Sequence, residues 1–386
     1  MTSGHESVIA EALDGLRDLT AFRSEWDHLF SDGAQEPSTS LEWTNALLRN
    51  HVGSADRIVL IRLRSGNRTV GLIPLIRRTT RLLGQPIALL TPISELYNTH
   101  SGLLLNAPGA PALGAFLDAL FSLDLNWDCF RMSRLLEDSP LQEGFEAVLQ
   151  SHGRLYVLCD GLPAYVLDLP STFDEYLAAR SSKFRNFLKR LDRRINAAGD
   201  PRITLVSGSQ VLESAYRALL SIEANSWKEA HGTAITAVTR QSGFYRDLSS
   251  GALDAGRLHL QVLELNGIPV AYNLGYLRNG CYSYLKTSYR ADARALSPAT
   301  YLRAKLIESL IATGVRRFDF PGEPYAWERQ WTDRVRWHRV LTIYRGTVKS
   351  RILALLDRLR HTTRSARQIH HVDPRALRPA VSGTAP

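Results

Sequence analysis

Leu258-His-Leu-Gln-Val-Leu-Glu-Leu265-Asn266-Gly267-Ile268-Pro-Val-Ala-Tyr-Asn-Leu-Gly-Tyr-Leu277 is the segment whose reading decides the fold. Two apolar runs flank an Asn-Gly pair, and Asn-Gly supplies the two positive-φ positions that a two-residue hairpin turn needs. The segment is therefore predicted as a hairpin of His259–Leu265 with Ile268–Leu277. Asn279-Gly280 then turns the chain into a third strand, Cys281–Thr287. After a polar loop, Pro298–Thr313 has a proline near its start and Gly314 just past its end, the punctuation of a helix. Val315–Phe320 is the strand that follows.

Upstream of the hairpin, helices are expected at Thr172–Ala179 and at Ser182–Ala198, the latter stopped by Gly199 and Pro201. Others are expected at Gln210–Ala230 and near Arg240–Ser249. The first half of the chain runs in the same order. Helices Thr20–Ser31 and Ser40–His51 precede a hairpin of Arg57–Arg64 with Thr69–Ile76 over Ser65-Gly66-Asn67. Then come a strand at Pro86–Leu90, a helix near Ala110–Ser122, a strand near Asp128–Met132, a helix at Pro140–Ser151 and a strand at Leu155–Cys159. The hairpins are faintly alike, Gly66-Asn-Arg-Thr-Val70-Gly71 beside Gly267-Ile-Pro-Val270-Ala271. The expectation is a divergent duplication: an α/β (α+β) chain of two tandem modules, 1–164 and 165–344, joined near Gly161–Ser171. Residues 345–386 are expected to be a basic, partly disordered tail in which Leu353, Leu356 and Leu359 pack a short helix.

Composition agrees with two domains: 386 residues, 44% hydrophobic and 22% charged, provide for real cores. Three scattered cysteines, Cys129, Cys159 and Cys281, exclude a disulfide scaffold and a cysteine zinc site. The net charge of +9 is concentrated. Residues 345–386 hold nine Lys/Arg against two Asp, so the rest of the chain is nearly neutral and DNA is not an expected partner. The tail suits weak contact with an anionic surface. No signal peptide is evident at the N-terminus, and Gly102–Phe121, with two prolines and a charge, reads as a loop and buried helix rather than a membrane span. A cytoplasmic location is expected. No Gly-x-Ser-x-Gly, Walker loop or His-Glu-x-x-His occurs, the eleven histidines are dispersed, and no metal is expected.

Four stretches carry a family likeness: Tyr165-Val-Leu-Asp-Leu-Pro170, Ser181-Ser-Lys-Phe-Arg-Asn-Phe-Leu-Lys-Arg190, the hairpin Leu258–Tyr276, and Phe318-Asp-Phe-Pro-Gly-Glu-Pro-Tyr325. Through them the second half resembles the GNAT-fold acetyltransferase-like family associated with bacterial exopolysaccharide and cellulose synthesis, a relative of the Fem aminoacyl transferases. The resemblance covers about 160 residues, from Tyr165 to Trp331. It implies two GNAT-like modules, each a mixed, mainly antiparallel sheet flanked by helices, with the first module degenerate. It also implies acyl-CoA, such as acetyl-CoA, as co-substrate. In this fold the pantetheine arm lies along a strand edge and the pyrophosphate at a helix N-terminus. Those places correspond here to Thr287, Ser288, Tyr289, Arg290, Arg294, Ser297 and Ala299. The usual glycines of the phosphate loop are replaced by Ala295-Leu-Ser-Pro-Ala-Thr300, which leaves an aminoacyl-tRNA donor open as the alternative.

Ser181, Lys183 and Arg185, at the start of a basic helix, are candidates for holding a phosphate or sugar-linked acceptor. Strand ends supply candidates for proton transfer. Tyr284 and Lys286 lie on the third strand, Asp319 lies between Phe318 and Phe320 and so faces away from them, and Glu323 sits in a Pro-Gly-Glu-Pro turn. Asp319 could equally be a structural carboxylate, and Glu323 could equally face plain solvent. Tyr325, Trp327 and Arg329 form a lip that would stack on a sugar ring, or simply pack. The leading expectation is acyl transfer to a hydroxyl or amine of a saccharide or small metabolite. The alternatives are a Fem-like amide-forming transferase and a non-catalytic accessory protein of polysaccharide synthesis.

Overall fold

The computed structural model describes residues 7–31, 35–82, 84–97, 99–106 and 109–369. The first half holds β1 (Val8–Asp14), α1 (Arg23–Ser31), α2 (Leu41–His51), β2 (Arg57–Ser65), β3 (Arg68–Leu82), β4 (Gln85–Pro92), β5 (Leu104–Leu105), α3 (Ala110–Ser122), β6 (Cys129–Leu136), α4 (Pro140–Ser151) and β7 (Tyr156–Asp168). The second half opens with α5 (Phe173–Ala178), α6 (Ser182–Ala198), β8 (Pro201–Leu205), α7 (Ser209–Ala224), α8 (Trp227–Ala230) and α9 (Thr239–Asp254). It continues with β9 (Leu258–Leu265), β10 (Ile268–Arg278), β11 (Cys281–Tyr289), α10 (Pro298–Ala312), β12 (Arg317–Phe320), β13 (Val335–Tyr344) and α11 (Val348–Ile369).

The hairpin expected around Asn266-Gly267 forms, with φ of 53° and 78° at the two turn residues, the left-handed pair that suits strand twist. Asn279 and Gly280, at 48° and 70°, repeat the device between β10 and β11. β9 reads as a nearly continuous apolar run because both its faces are covered, Leu260 and Val262 on one side and Leu263 on the other.

All strands join one mostly antiparallel sheet, in the order β1-β2-β3-β4-β6-β13-β7-β12-β11-β10-β9-β8, with β5 against β3. Two neighbouring pairs are parallel, β4 with β6 and β11 with β12. Each is completed by an antiparallel strand from the other half of the sequence. β13 lies on β6, β7 lies on β12, and β7 and β13 pair with each other at the centre. The repeated order read from the sequence is thus a repeated sheet, with the last strand of each half exchanged.

That exchange accounts for the main departures from expectation. The stretch Gly161–Ser171, where the two modules were expected to join, is extended chain within the sheet as far as Asp168, and residues 164 and 165 both lie in β7. β13 was not anticipated. Nor were β1, β5 and β8. α6 stops at Ala198 before Gly199 and Pro201 as expected, and Pro201 is also the first residue of β8, an edge strand that tolerates a missing N–H. The described residues of the Gly102–Phe121 window are indeed loop, β5 and a packed helix. No helix among the described residues is long and apolar enough to cross a membrane.

One apolar core is shared by both halves: Trp26, Leu47 and Leu60 pack with Leu219, Phe244 and Tyr272. Its seam is α2 on α9. The contact is close because Gly251 has no Cβ; one there would come 2.6 Å from Cβ of Glu42. Glu42 in turn accepts from Arg257 at 2.8 Å and from the Tyr276 hydroxyl at 2.5 Å.

In the tail, Leu353 packs at 2% exposure, but Leu356 and Leu359 are 40% and 56% exposed, against expectation. The buried face of α11 is instead Ser350, Leu353, Ala354 and Asp357, with Asp357 accepting from the Tyr344 hydroxyl at 2.8 Å. A buried Asp took the place in the helix that the leucine pattern reserved for apolar groups. The rest of the tail expected to be partly disordered, residues 370–386, lies outside the described residues.

Candidate active site

β11 and β12 pair at only three positions, Cys281 with Arg317, Tyr282 with Phe318 and Ser283 with Asp319. Beyond them the strands part, β12 ending at Phe320 while β11 continues to Tyr289. At the parting the β10–β11 register slips: Leu274 faces Lys286 but Gly275 faces Tyr284, so Leu285 is the extra residue of a bulge. Gly275 is required there because the Tyr282 ring covers it; a Cβ would lie 2.1 Å from that ring. Along residues 284–289, apart from the β10 ladder, the side-chain bond to the main chain among the described residues is Lys228 donating to the Thr287 carbonyl. The edge is otherwise available for a ligand's amides.

On the face towards α10, the Tyr284 hydroxyl donates to Asn273 Oδ1 at 2.6 Å and accepts from Arg303 at 3.1 and 3.2 Å. Burial raises its pKa, so the phenol stays protonated. Arg303, itself buried, lies 4.0 Å over the Trp327 ring. Nearby Glu328 accepts from the Tyr325 amide at 3.0 Å, and burial pushes its carboxyl up to about 7.

On the opposite face, Lys286 points over the Tyr245 ring at 5.6 Å and makes no hydrogen bond among the described residues. Burial lowers its pKa. Beside it, fully buried Glu223 accepts from the Tyr272 hydroxyl at 2.5 Å, the Ile235 amide at 2.9 Å and Lys228 at 3.3 Å. Burial brings Lys228 down to about 8. Ser288 Oγ and the Tyr245 hydroxyl are buried here with no hydrogen-bond partner among the described residues, so a bound molecule could satisfy them.

Asp319 faces away from Phe318 and Phe320, into a buried network that reaches the first half. Its Oδ2 lies 2.9 Å from His100 Nε2, and His100 Nδ1 lies 2.8 Å from His338 Nε2. His338 Nδ1 is 2.6 Å from the Leu162 carbonyl, so that nitrogen carries the proton and Nε2 must accept. His100 therefore donates at both nitrogens and is an imidazolium facing a carboxylate. Burial alone would lower His100 and raise Asp319, but their mutual attraction wins in both, raising His100 and lowering Asp319. Burial and the His100 charge push His338 down to about 3.

The remaining candidates separate. Thr287 Oγ1 bonds the Tyr272 carbonyl at 3.0 Å and Asn273 Oδ1 at 3.2 Å. Tyr289 packs at the end of β11, and Arg290 is paired with Asp292 at 2.6 Å. Arg294 is exposed. Ser297 precedes α10 as expected but in a left-handed conformation, φ 49°, and its hydroxyl makes no cap. Ala299 is in the first turn of α10. Ser181 caps α6 by accepting from the Phe184 amide at 3.2 Å, and Arg185 donates to the Arg180 carbonyl at 2.5 Å; both serve the local fold. Lys183 is exposed on α6. Glu323 is exposed, 3.8 Å from Arg134 of the first half. Tyr325, also exposed, stacks on Trp327, and Arg329 is exposed beyond them.

Glu223, Lys228, Asn273, Arg303, His100 and His338 were not anticipated. No local signal marks them: Glu223 meets Tyr272 across 49 residues, and His100 meets Asp319 across 219.

No curated protein sequence matches the chain. Among solved structures it is similar to FemX, with a TM-score of 0.59 at 11% identity over 89% of this chain and 100% of that one. A conserved protein of unknown function from Bacteroides thetaiotaomicron gives 0.54 at 12%, over 87% and 100% of the two chains. L-PGS from Bacillus licheniformis gives 0.50 at 11%, over 87% and 95%. At such identities the likeness is one of fold. Residues 182–329, which contain the splay and both of its faces, match the family model of the acetyltransferase (GNAT) domain.

Proposed function

We propose that the protein is an acyltransferase, moving an acyl group from acyl-CoA to an amine or hydroxyl of a saccharide or small metabolite at the parting of β11 and β12. The observation that carries this reading is the open main-chain edge of β11, with Lys286 next to the bulge at Leu285. The residues suit the group in two places. Residues 284–289 offer amides and carbonyls to a pantetheine arm, and the start of α10 at Ser297–Ala299, with Arg294 nearby, offers a positive end for phosphates. When bound, the thioester supplies a carbonyl carbon open to attack and a thiolate leaving group.

The chain's own residues would do the rest. Lys286, its ammonium disfavoured by burial, takes the proton of the attacking amine or hydroxyl. Tyr245, Tyr97 and the exposed Tyr325–Glu323 turn border the acceptor side, where Glu323 would orient a polar acceptor. Asp319, held by His100, fixes the strand end rather than meeting the substrate.

A second reading, an aminoacyl-tRNA donor, is favoured by one feature: no glycine stands between Tyr289 and Thr300, and Lys228 already takes the Thr287 carbonyl. The test is titration with acetyl-CoA and longer acyl-CoAs, followed by detection of free coenzyme A. Ala299→Glu would set a carboxylate beside the phosphates and should abolish acyl-CoA binding in a folded protein. Unchanged affinity in that variant would remove the placement, and transfer from aminoacyl-tRNA alone would establish the second reading.

A further inference from the structure

α11 has two apolar faces. One, with Leu353 and Ala354, is buried on the sheet. At about 100° per residue, Val348, Ile352, Leu355 and Leu356 share the opposite face. They are 77%, 55%, 59% and 40% exposed. Large apolar groups at this density on an outer helix face are not explained by the fold.

The charges are arranged around that stripe. By the same periodicity Lys349 and Arg360 border it on one side, and Arg351 and Arg358 on the other, with Lys349 also 2.6 Å from Asp128 and Arg358 donating to the Tyr156 carbonyl at 3.1 Å. The only acidic residue of α11, Asp357, is turned inwards onto Tyr344. The outward surface is therefore an apolar band between two rows of cations, on the region that carries +7 of the chain's charge.

We infer that α11 is a membrane-surface helix and that its occupant is an anionic phospholipid bilayer, with the helix lying in the plane of the interface. The apolar band enters the acyl boundary while the long Lys and Arg stems reach the headgroups. Charge complementarity selects this occupant. A second copy, related by a two-fold axis, would bring cation rows against cation rows. Residues 370–386 are themselves basic and hold few large apolar groups, so they make a poor cover. The inference stands apart from the proposed acyl transfer, which uses none of these residues.

The test is co-sedimentation of the full chain with vesicles of phosphatidylcholine alone and with 30% phosphatidylglycerol by composition (about 0.3 mole fraction). Binding to the anionic vesicles should exceed that to the neutral ones by about tenfold and fall steeply in high salt. Ile352→Glu/Leu355→Glu should reduce it by about tenfold or more, with an unchanged thermal melt because both side chains are exposed. Deleting residues 370–386 should leave binding intact. Equal binding to both vesicles, an unaffected double variant, or loss of binding with that deletion would overturn the inference. So would a dimer in solution that the double variant converts to monomer, since the stripe would then belong to a second copy.

Discussion

The two parallel pairs of the sheet, β4–β6 and β11–β12, have the same place in their halves and opposite fates. β4 and β6 pair at only Leu89–Cys129 and Leu90–Phe130 before they diverge. The gap is then stitched by the chain's own side chains. Thr91 Oγ1 donates to the Arg131 carbonyl at 2.7 Å, and Glu95 accepts from the Ser133 amide at 2.9 Å. Ser101 Oγ accepts from the Arg134 amide at 2.9 Å. In the second half, the β11 side of the gap meets one lysine among the described residues. A sealed splay satisfies the main chain internally and has no need of a ligand; an open one leaves groups that a ligand can satisfy. On the proposed function, the difference would place the donor site in the second half and make the first half a wall, carrying His100, Arg134 and Tyr97 to the shared face.

The largest expected effect breaks the comparison at its chemical end. Lys286→Met should lower turnover by about 10²–10⁴ while leaving donor affinity within a few-fold, because only proton transfer is lost. Single-turnover kinetics with saturating donor would read it. Turnover within a few-fold of the unaltered protein would show that the open edge holds no base at Lys286.

A smaller effect sharpens the role of the wall. His338 is neutral in the fold, at about 3, against 6.5 ordinarily. Between these values the unfolded chain binds the extra proton, so stability falls as pH falls through that window, by up to about 1.4 kcal/mol per pH unit. His338→Gln keeps an acceptor for His100 and should flatten that slope in urea melts. His100 acts in a different window: raised by Asp319, its contribution is complete below 6.5 and is lost as pH rises through its folded value. An unchanged acid slope in His338→Gln would contradict the neutral state assigned to His338 in the fold.

The smallest effect concerns the stitch. Thr91→Val leaves the Arg131 carbonyl without that donor and should cost about 1 kcal/mol of stability, with transfer activity unchanged. A loss of activity would mean that the first splay also takes part.

Much of the fold was legible because its signals are local. Asn266-Gly267 and Asn279-Gly280 determine their turns by backbone conformation alone, and Gly314 and Pro298 bound α10 in the same way. The exchanged strands were not legible. β13 contains Arg336, Trp337, His338 and Arg339, which break the alternation of a half-buried strand because they serve Asp138, the His100 network and Asp160 instead. β7 contains Gly161 and Pro163, normally signs of a linker, and Gly161 is there because His338 packs against it, 3.1 Å from where a Cβ would be. At the site, Asp319, Tyr284 and Lys286 could be singled out from strand ends, and the direction of Asp319 followed from its aromatic neighbours. Their partners could not, since Arg303, Glu223 and His100 are joined to them only by the folded sheet.

The most direct measurement is amide hydrogen exchange on the full chain with and without saturating acetyl-CoA, comparing residues 284–289 with residues 85–96. Protection confined to 284–289 and the first turn of α10 is the predicted result. Protection at 85–96, or none at either edge while coenzyme A is still released, would contradict the assignment of the open splay as the donor site.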